Sequence, residues 1–284
     1  MTTEYARANV RLIVSDIDGT LLPAGGSVSP ATAAAVAACR ARGVEFVVAS
    51  GRWYPAARKV AVEQLGIEDG YMIVCNGGAV VRCDGRVLME RPLSDAQARS
   101  AWEILSAAPV MMTAYVRDAI YRLRGEYLSV FRLPETSYFE AGHAYRVVDG
   151  DEAAFRARGL VRPYKLEAYC DDPATLAHLR ARLVEKGLQV NSSFPFNLEI
   201  TAPDAGKGTA VQWLAGHLHL TLDQVMGFGD YTNDLSMLAC VGWPVAVGNA
   251  IDEVKRACRI VAPACADDGV ARTLQKYVLG GNRL

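Results

Sequence analysis

Two aspartates separated by one apolar residue follow a short apolar run near the start of the chain. Residues 12–14 are typical of a strand buried in a parallel sheet, and Asp16 and Asp18 come directly after Ser15. Ligands of open α/β sheets bind at the carboxyl ends of the strands, and two close carboxylates are costly unless a cation shares their site. The pair therefore predicts a magnesium-dependent phosphoryl site, although this stretch alone leaves open an acidic turn exposed to solvent.

A second acidic cluster follows another apolar run. Asp230 and Asp234 come after residues 224–228, where a simple capping turn is the other interpretation. Magnesium prefers octahedral oxygen ligands, usually one or two carboxylates together with waters and a substrate phosphate oxygen. Asp16 and Asp230 could supply these carboxylates jointly, while Asp234 could orient waters or a neighbouring ligand.

Two further positions point to phosphate. Lys207 lies in the first turn of a predicted helix, where a cation opposes the helix macrodipole unless an anion is bound nearby. A solvated lysine in a glycine-rich loop is the alternative, and a Walker P-loop is excluded because Gly208 stands where that motif needs Ser or Thr. Ser50, with the amide of Gly51, is expected to donate to a phosphate oxygen, although such a pair after a strand is as often only a turn.

The elements that must position these groups alternate between strand and helix. Apolar runs at 12–14, 44–49 and 71–75 each end in a polar turn, and helices are predicted at about 30–42 and 55–65. This succession predicts an α/β fold, a doubly wound parallel sheet of Rossmann-like type, whose strand ends converge on one edge.

The pattern changes in the middle of the chain. A helix followed by two strands occurs twice between residues 84 and 202, which predicts an α+β domain inserted into a core formed by 1–83 and 203–284. Residues 124–160 give the least clear pattern. The inserted segment offers no decodable substrate signal, and four residues are candidates for substrate contact by polarity alone: Tyr164, Lys165, Asn191 and Ser192.

The totals favour a globular protein with small-molecule partners. The chain has 284 residues, 51% of them hydrophobic, and a formal net charge of −1 without long charged runs, so neither nucleic acid nor a membrane surface is an expected partner. The first residues lack a leader pattern and no run is long enough to span a bilayer, so we expect a cytoplasmic protein. Seven scattered cysteines are expected to be reduced, the four histidines form no zinc pattern, and the oligomeric state is left open.

Five segments together resemble the haloacid dehalogenase-like phosphatase superfamily, in its Cof-like subfamily with a large C2-type cap: DIDGTLL, SGR after the second strand, NGG after the third, GKG before a helix, and GDYTND. The resemblance covers the core at both ends of the chain. It implies that Asp16 is the nucleophile that forms an aspartyl-phosphate and that Asp18 is the general acid and base. It also implies Mg²⁺ bound by the Asp16 carboxylate, the Asp18 backbone carbonyl and Asp230.

The same resemblance implies which groups hold the phosphoryl oxygens as charge develops: Ser50, Gly51, the Ile17 amide, Lys207 and Asn233. The expected function is a magnesium-dependent phosphomonoester hydrolase of small phosphorylated metabolites, with sugar phosphates among the candidates. A phosphomutase or phosphotransferase that uses the same aspartyl-phosphate is one alternative, and a non-catalytic protein that binds a phosphorylated ligand is another. Tyr231 stands where the family often has Asn, which leaves the substrate open.

Overall fold

The computed structural model describes two sheets and the helices that connect their strands. The described residues are 9–23, 25–117, 119–124, 146–149 and 162–280. Asp118, which was predicted to lie in a tight turn, and most of the segment 124–160 lie outside the described residues. No helix in the described ranges is long and apolar enough to cross a membrane.

The larger sheet has β1 near its centre. Its strands are β1 (Leu12–Ser15), β2 (Glu45–Ala49), β3 (Tyr71–Val74), β4 (Ala79–Arg82), β5 (Val87–Glu90), β12 (Val225–Gly229), β13 (Trp243–Ala246) and β14 (Ile260–Val261). The order is β14-β13-β12-β1-β2-β3-β4-β5, parallel as far as β3 and antiparallel in the pairs β3–β4 and β4–β5. The direction in which successive strands are added reverses at β1, which confirms the doubly wound α/β prediction.

Each α-helix of the described residues follows a strand in the chain. They are α1 (Pro30–Arg40), α2 (Tyr54–Arg58), α3 (Asp95–Ser106), α4 (Pro173–Glu185), α5 (Lys207–His217), α6 (Leu235–Leu238), α7 (Asp252–Ala257) and α8 (Gly269–Leu274). The Ser29 hydroxyl accepts a hydrogen bond from the Thr32 amide at the start of α1, and Pro30 occupies the first turn. The π-helical segments Lys59–Gln64 and Gln275–Leu279 extend α2 and α8.

The smaller sheet packs against α3 and α4 through its own apolar cluster, which includes Trp102, Met112 and Leu179. Its strands are β6 (Met111–Tyr115), β7 (Ala119–Arg124), β8 (Arg146–Asp149), β9 (Lys165–Tyr169), β10 (Gln189–Asn191) and β11 (Asn197–Thr201). They are ordered β10-β11-β9-β6-β7-β8, antiparallel except for the pair β7–β8.

One strand of the predicted inserted segment belongs to the larger sheet. Strand β5 lies within residues 84–202, yet it pairs with β4 because a tight turn at Gly85 returns the chain alongside that strand. The change from the larger to the smaller sheet therefore falls after Glu90, later than the predicted boundary at residue 84.

The turn after β3 packs directly against the start of α5. Gly77 has a φ of +89°, and a Cβ atom added there would lie 2.2 Å from the carbonyl oxygen of Gly206. Any side chain at Gly77 would therefore have to displace the backbone in front of Lys207. This close approach fixes the position at which α5 begins relative to the ends of the strands.

We expect Gly77→Ala to lower the free energy of unfolding by at least about 2 kcal/mol, because backbone strain and a backbone clash act together. Gly43→Ala is the matched control: Gly43 has a φ of +75° but nothing within 4 Å of an added Cβ. The control should lose only about 1 kcal/mol from the left-handed conformation. Urea unfolding of both variants measures the difference, and equal losses would contradict the close packing of Gly77.

Candidate active site

The residues singled out in the sequence lie at one edge of the larger sheet. Because β1 pairs in parallel with β2 on one side and β12 on the other, their carboxyl ends point the same way. Asp16, Ile17 and Asp18 follow β1, Ser50 and Gly51 follow β2, and Asp230, Asn233 and Asp234 follow β12, while Lys207 is the first residue of α5.

Lys207 joins two of these turns. Its Nζ atom lies 2.5 Å from Asp16 Oδ1 and 2.7 Å from Asp234 Oδ1, and all three side chains are buried. Burial alone would lower the pKa of Lys207, but Asp16 and Asp234 raise it above its usual value, so the ammonium stays charged. A single cation thus bridges the ends of β1 and β12.

Asp234 uses both of its carboxylate oxygens inside the protein. Oδ1 accepts from Lys207, and Oδ2 accepts from the backbone amides of Asp230 at 2.9 Å and Tyr231 at 3.2 Å. Oxygen atoms of Asp16, Asp230 and Asp234 nevertheless lie within 4.8 Å of one another. Because its two oxygens are already engaged, Asp234 fits the predicted orienting role better than that of a direct metal ligand.

The charge balance of this edge fits a hard divalent cation. Burial raises the pKa of Asp16. The neighbouring carboxylates of Asp234 and Asp230 raise it further, although Lys207 opposes the shift. Burial and Asp234 raise the pKa of Asp230 to about 6. Carboxylates that repel one another in this way are stabilised by a shared cation, and oxygen donors are those that Mg²⁺ prefers.

Asp230 is also held close to the chain that follows Asp18. Its Oδ1 accepts a hydrogen bond from the Thr20 hydroxyl at 2.9 Å, and a Cβ atom added to Gly19 would lie 2.4 Å from Oδ2. Only glycine, with a φ of +81°, allows this approach. The Asp230 carboxylate therefore lies beside the turn that carries the predicted Asp18 carbonyl ligand.

Asp18 lies in a different environment from Asp16. Its side chain is 49% exposed, and Arg52 donates to both carboxylate oxygens, from Nη2 to Oδ1 at 2.5 Å and from Nε to Oδ2 at 2.8 Å. Such a fork holds the carboxylate in a fixed orientation. Arg52 was not among the residues singled out in the sequence, although it is the third residue of the SGR segment.

The loop after β2 is anchored by a strained turn. Cys75 and Asn76 have φ values of +51° and +55°, which are rarely adopted by residues other than glycine. In this conformation their amides donate to Arg52 O and Ser50 O, both at 2.9 Å. The Asn76 side chain also accepts a 3.4 Å hydrogen bond from Asn233, so the turns after β2, β3 and β12 are linked.

Sequence reasoning missed several residues that contact the predicted groups. Thr20 and Asn76 lie inside segments that resemble the family, which is a signal that could have identified them. Glu199 gives none, because it occupies an ordinary alternating position in β11, yet it accepts a 2.8 Å hydrogen bond from Asn76. Of the four polar candidates in the inserted segment, Lys165 donates to Gly51 O at 2.6 Å.

The other polar candidates make local contacts. The Tyr164 hydroxyl donates to Glu90 Oε2, and the Ser192 hydroxyl donates to Asn197 O, both at 2.6 Å. Asn191 is half-buried in β10, where it lies opposite Glu199 in the strand register.

A family model described as haloacid dehalogenase-like hydrolase matches residues 13–274, which include every residue of this edge. The chain belongs to the haloacid dehalogenase-like hydrolase family. The superfamily resemblance is therefore confirmed, and the protein is a hydrolase.

Two relatives of this hydrolase are phosphatases that align along nearly its whole length. It is 25% identical over 279 residues to 5-amino-6-(5-phospho-D-ribitylamino)uracil phosphatase of Bacillus subtilis, covering 98% of this chain and 100% of that protein. It is 26% identical over 274 residues to pyridoxal phosphate phosphatase of Escherichia coli, covering 95% and 99%. A solved haloacid dehalogenase-like hydrolase from B. subtilis is similar with a TM-score of 0.82 and 26% identity, covering 94% of this chain and 99% of that one.

We expect Asp234→Asn to destabilise the hydrolase by about 3–5 kcal/mol, because it breaks a buried pair with Lys207. An asparagine has one acceptor atom and cannot serve both Lys207 and the two backbone amides. Asp171→Asn, on an exposed aspartate, is the control and should change stability by less than about 0.5 kcal/mol. Urea unfolding in the presence of a chelator makes the comparison, and a similar midpoint for both variants would contradict the orienting role.

Proposed function

We propose that this hydrolase is a magnesium-dependent phosphomonoesterase that acts on small phosphorylated metabolites through an aspartyl-phosphate on Asp16. The observation that carries the proposal is the buried ammonium of Lys207, held between Asp16 and Asp234 at the end of β1. This arrangement offers a carboxylate nucleophile and a cation to the same phosphoryl group. The phosphatase relatives, which are named for a ribitylamino-uracil phosphate and pyridoxal phosphate, support a small phosphate ester as the substrate.

Asp16 would make the first bond to phosphorus. One of its carboxylate oxygens attacks, the bond from phosphorus to the ester oxygen breaks, and Asp18 gives a proton to the departing alcohol. Once protonated, one oxygen of Asp18 becomes a hydrogen-bond donor, so the leaving group and Arg52 would compete for this side chain. The half-exposed position of Asp18 is suited to that exchange.

Water would complete the reaction. Asp18, now a carboxylate, takes a proton from the water whose oxygen attacks phosphorus, the bond from phosphorus to Asp16 breaks, and inorganic phosphate leaves. The residues proposed to hold the phosphoryl oxygens are the Ser50 hydroxyl, the backbone of Ile17 and Gly51, Lys207 and Asn233. Mg²⁺, held by Asp16, Asp230 and the Asp18 carbonyl, would neutralise the charge of the phosphoryl group.

We expect Asp16→Asn to lower magnesium-dependent phosphate release by about a thousandfold or more, because an amide does not replace a carboxylate nucleophile. The assay measures free phosphate from sugar phosphates, nucleotides and pyridoxal phosphate, with Asp171→Asn as the control that should retain wild-type rates. Full activity of Asp16→Asn would contradict the nucleophile assignment. In the wild type, conversion of esters without free phosphate would indicate a mutase, and saturable binding without turnover a binding protein.

Metal removal gives an independent prediction. A chelator should abolish phosphate release and added Mg²⁺ should restore it, because the carboxylate edge is predicted to bind the ion. Mg²⁺ should also raise the melting temperature of the wild type by a few degrees but not that of Asp230→Asn, which loses a proposed ligand. An equal shift in both proteins would contradict the assignment of Asp230.

A further inference from the structure

Lys165 of β9 reaches from the smaller sheet to the loop after β2. Its side chain is 2% exposed, and Nζ lies 2.6 Å from Glu167 Oε1, 3.0 Å from Glu199 Oε1 and 2.6 Å from Gly51 O. An ammonium has three N–H donors, and here all three have acceptors. Two carboxylates already more than balance its single charge, so charge pairing does not explain why the third donor is directed at a neutral carbonyl of the other sheet.

This contact completes the support of the loop. Three successive carbonyls accept hydrogen bonds: Ser50 O and Arg52 O from the strained turn after β3, and Gly51 O from Lys165. The two hydrogen bonds from the larger sheet, to Ser50 O and Arg52 O, hold the carbonyls on either side of the Gly51–Arg52 peptide but not the carbonyl of that peptide. Lys165 is the group that holds the carbonyl of this peptide itself.

The orientation of that peptide determines what the Ser50 hydroxyl can do. The peptide's N–H, from Arg52, donates to Ser50 Oγ at 3.1 Å. A hydroxyl that accepts a hydrogen bond in this way keeps its own hydrogen to donate, as a phosphate oxygen requires. If the peptide rotated, Ser50 Oγ would lose this partner and the direction of its O–H bond would no longer be set.

The contact between the sheets is tight and charged. A Cβ atom added to Gly51 would lie 2.9 Å from Glu199 Oε1, so the smaller sheet lies directly against the loop. Burial alone would lower the pKa of Lys165, but Glu167 and Glu199 raise it well above its usual value. Although burial opposes it, Lys165 lowers the pKa of Glu199 to about 2. Burial raises the pKa of Glu167, although Lys165 opposes that rise, so the ion pair between Lys165 and Glu199 is the one that the shifts favour.

We propose that Lys165 is a positioning residue that orients the Gly51–Arg52 peptide and, through it, the Ser50 hydroxyl for the substrate's phosphoryl group. The inference rests on the proposed function, because it concerns how the phosphate-binding loop is held. It predicts that phosphate affinity depends on a contact made by the smaller sheet, although Lys165 does not touch the phosphoryl group.

The test compares Glu167→Gln with the double variant Lys165→Met/Glu167→Gln. Removing Lys165 alone would leave two buried carboxylates without their cation, a strongly destabilising change. The double variant removes one positive and one negative charge, so the net charge of the cluster stays that of the wild type. Glu167 contacts Lys165, Tyr115 and Tyr169 rather than the loop, so Glu167→Gln should retain wild-type phosphate affinity.

Two readouts are measured on full-length protein with Mg²⁺: the dissociation constant of inorganic phosphate by calorimetry, and kcat and KM for p-nitrophenyl phosphate. Relative to Glu167→Gln, the double variant should bind phosphate about tenfold more weakly and show a KM raised by about the same factor, because a hydrogen bond to a charged group is lost. A merely structural role would lower the folded fraction and kcat and leave the dissociation constant unchanged, which would overturn the inference.

Addition of Ser50→Ala distinguishes action through Ser50 from an independent effect. If Lys165 acts through this hydroxyl, Ser50→Ala weakens phosphate binding in the Glu167→Gln background but adds little in the double variant. Multiplicative losses would overturn the inference. Absence of turnover in the wild type would count against the proposed function alone, because the phosphate-binding comparison still decides the role of Lys165.

Discussion

The burial of the Lys207 ammonium between Asp16 and Asp234 is the constraint on which this edge of the larger sheet depends. A buried cation must be paired, and here its partners follow two different strands, β1 and β12. The start of α5 must therefore lie over the gap between those strands. The close approach of Gly77 to Gly206 fixes the same helix end from the side of β3, so packing and charge place Lys207 in one position.

A second buried lysine repeats this arrangement between the two sheets. Lys165, like Lys207, is held by two carboxylates, but its third donor crosses to Gly51. The larger sheet alone brings the carboxylates and Lys207 together, whereas the loop after β2 is supported from both sheets. This difference matches the chemistry proposed for each part. The proposed nucleophile and cation site need a rigid edge, whereas the proposed phosphate-binding loop can respond to the position of the smaller sheet.

The sequence predicted the strands and the site residues whose positions follow from apolar runs and from the parallel order of the strands. Apolar runs that end in polar turns located Asp16, Ser50 and Asp230, because carboxyl ends of parallel strands meet at one edge. It did not predict the pairing of Arg52 with Asp18, since which arginine reaches which carboxylate depends on side-chain directions. The return arm of a hairpin at residues 86–90 can be read from the sequence, but the sheet to which it belongs cannot, and Glu199 was missed because strand alternation reveals a face but not its partner.

The structure separates the two aspartates that first drew attention to this chain. Asp16 is almost fully buried, and burial together with the neighbouring acids raises its pKa, while Lys207, which it faces, opposes that rise. Asp18 is half exposed and faces Arg52, whose fork holds the carboxylate without shutting out solvent. The proposed nucleophile must be deprotonated and therefore depends on Lys207, whereas the proposed acid and base must exchange protons with an alcohol and with water and benefits from contact with solvent. The same side chain thus meets different neighbours at two positions only two residues apart, because the chain turns after β1 instead of continuing as a strand, in which both would face the same side.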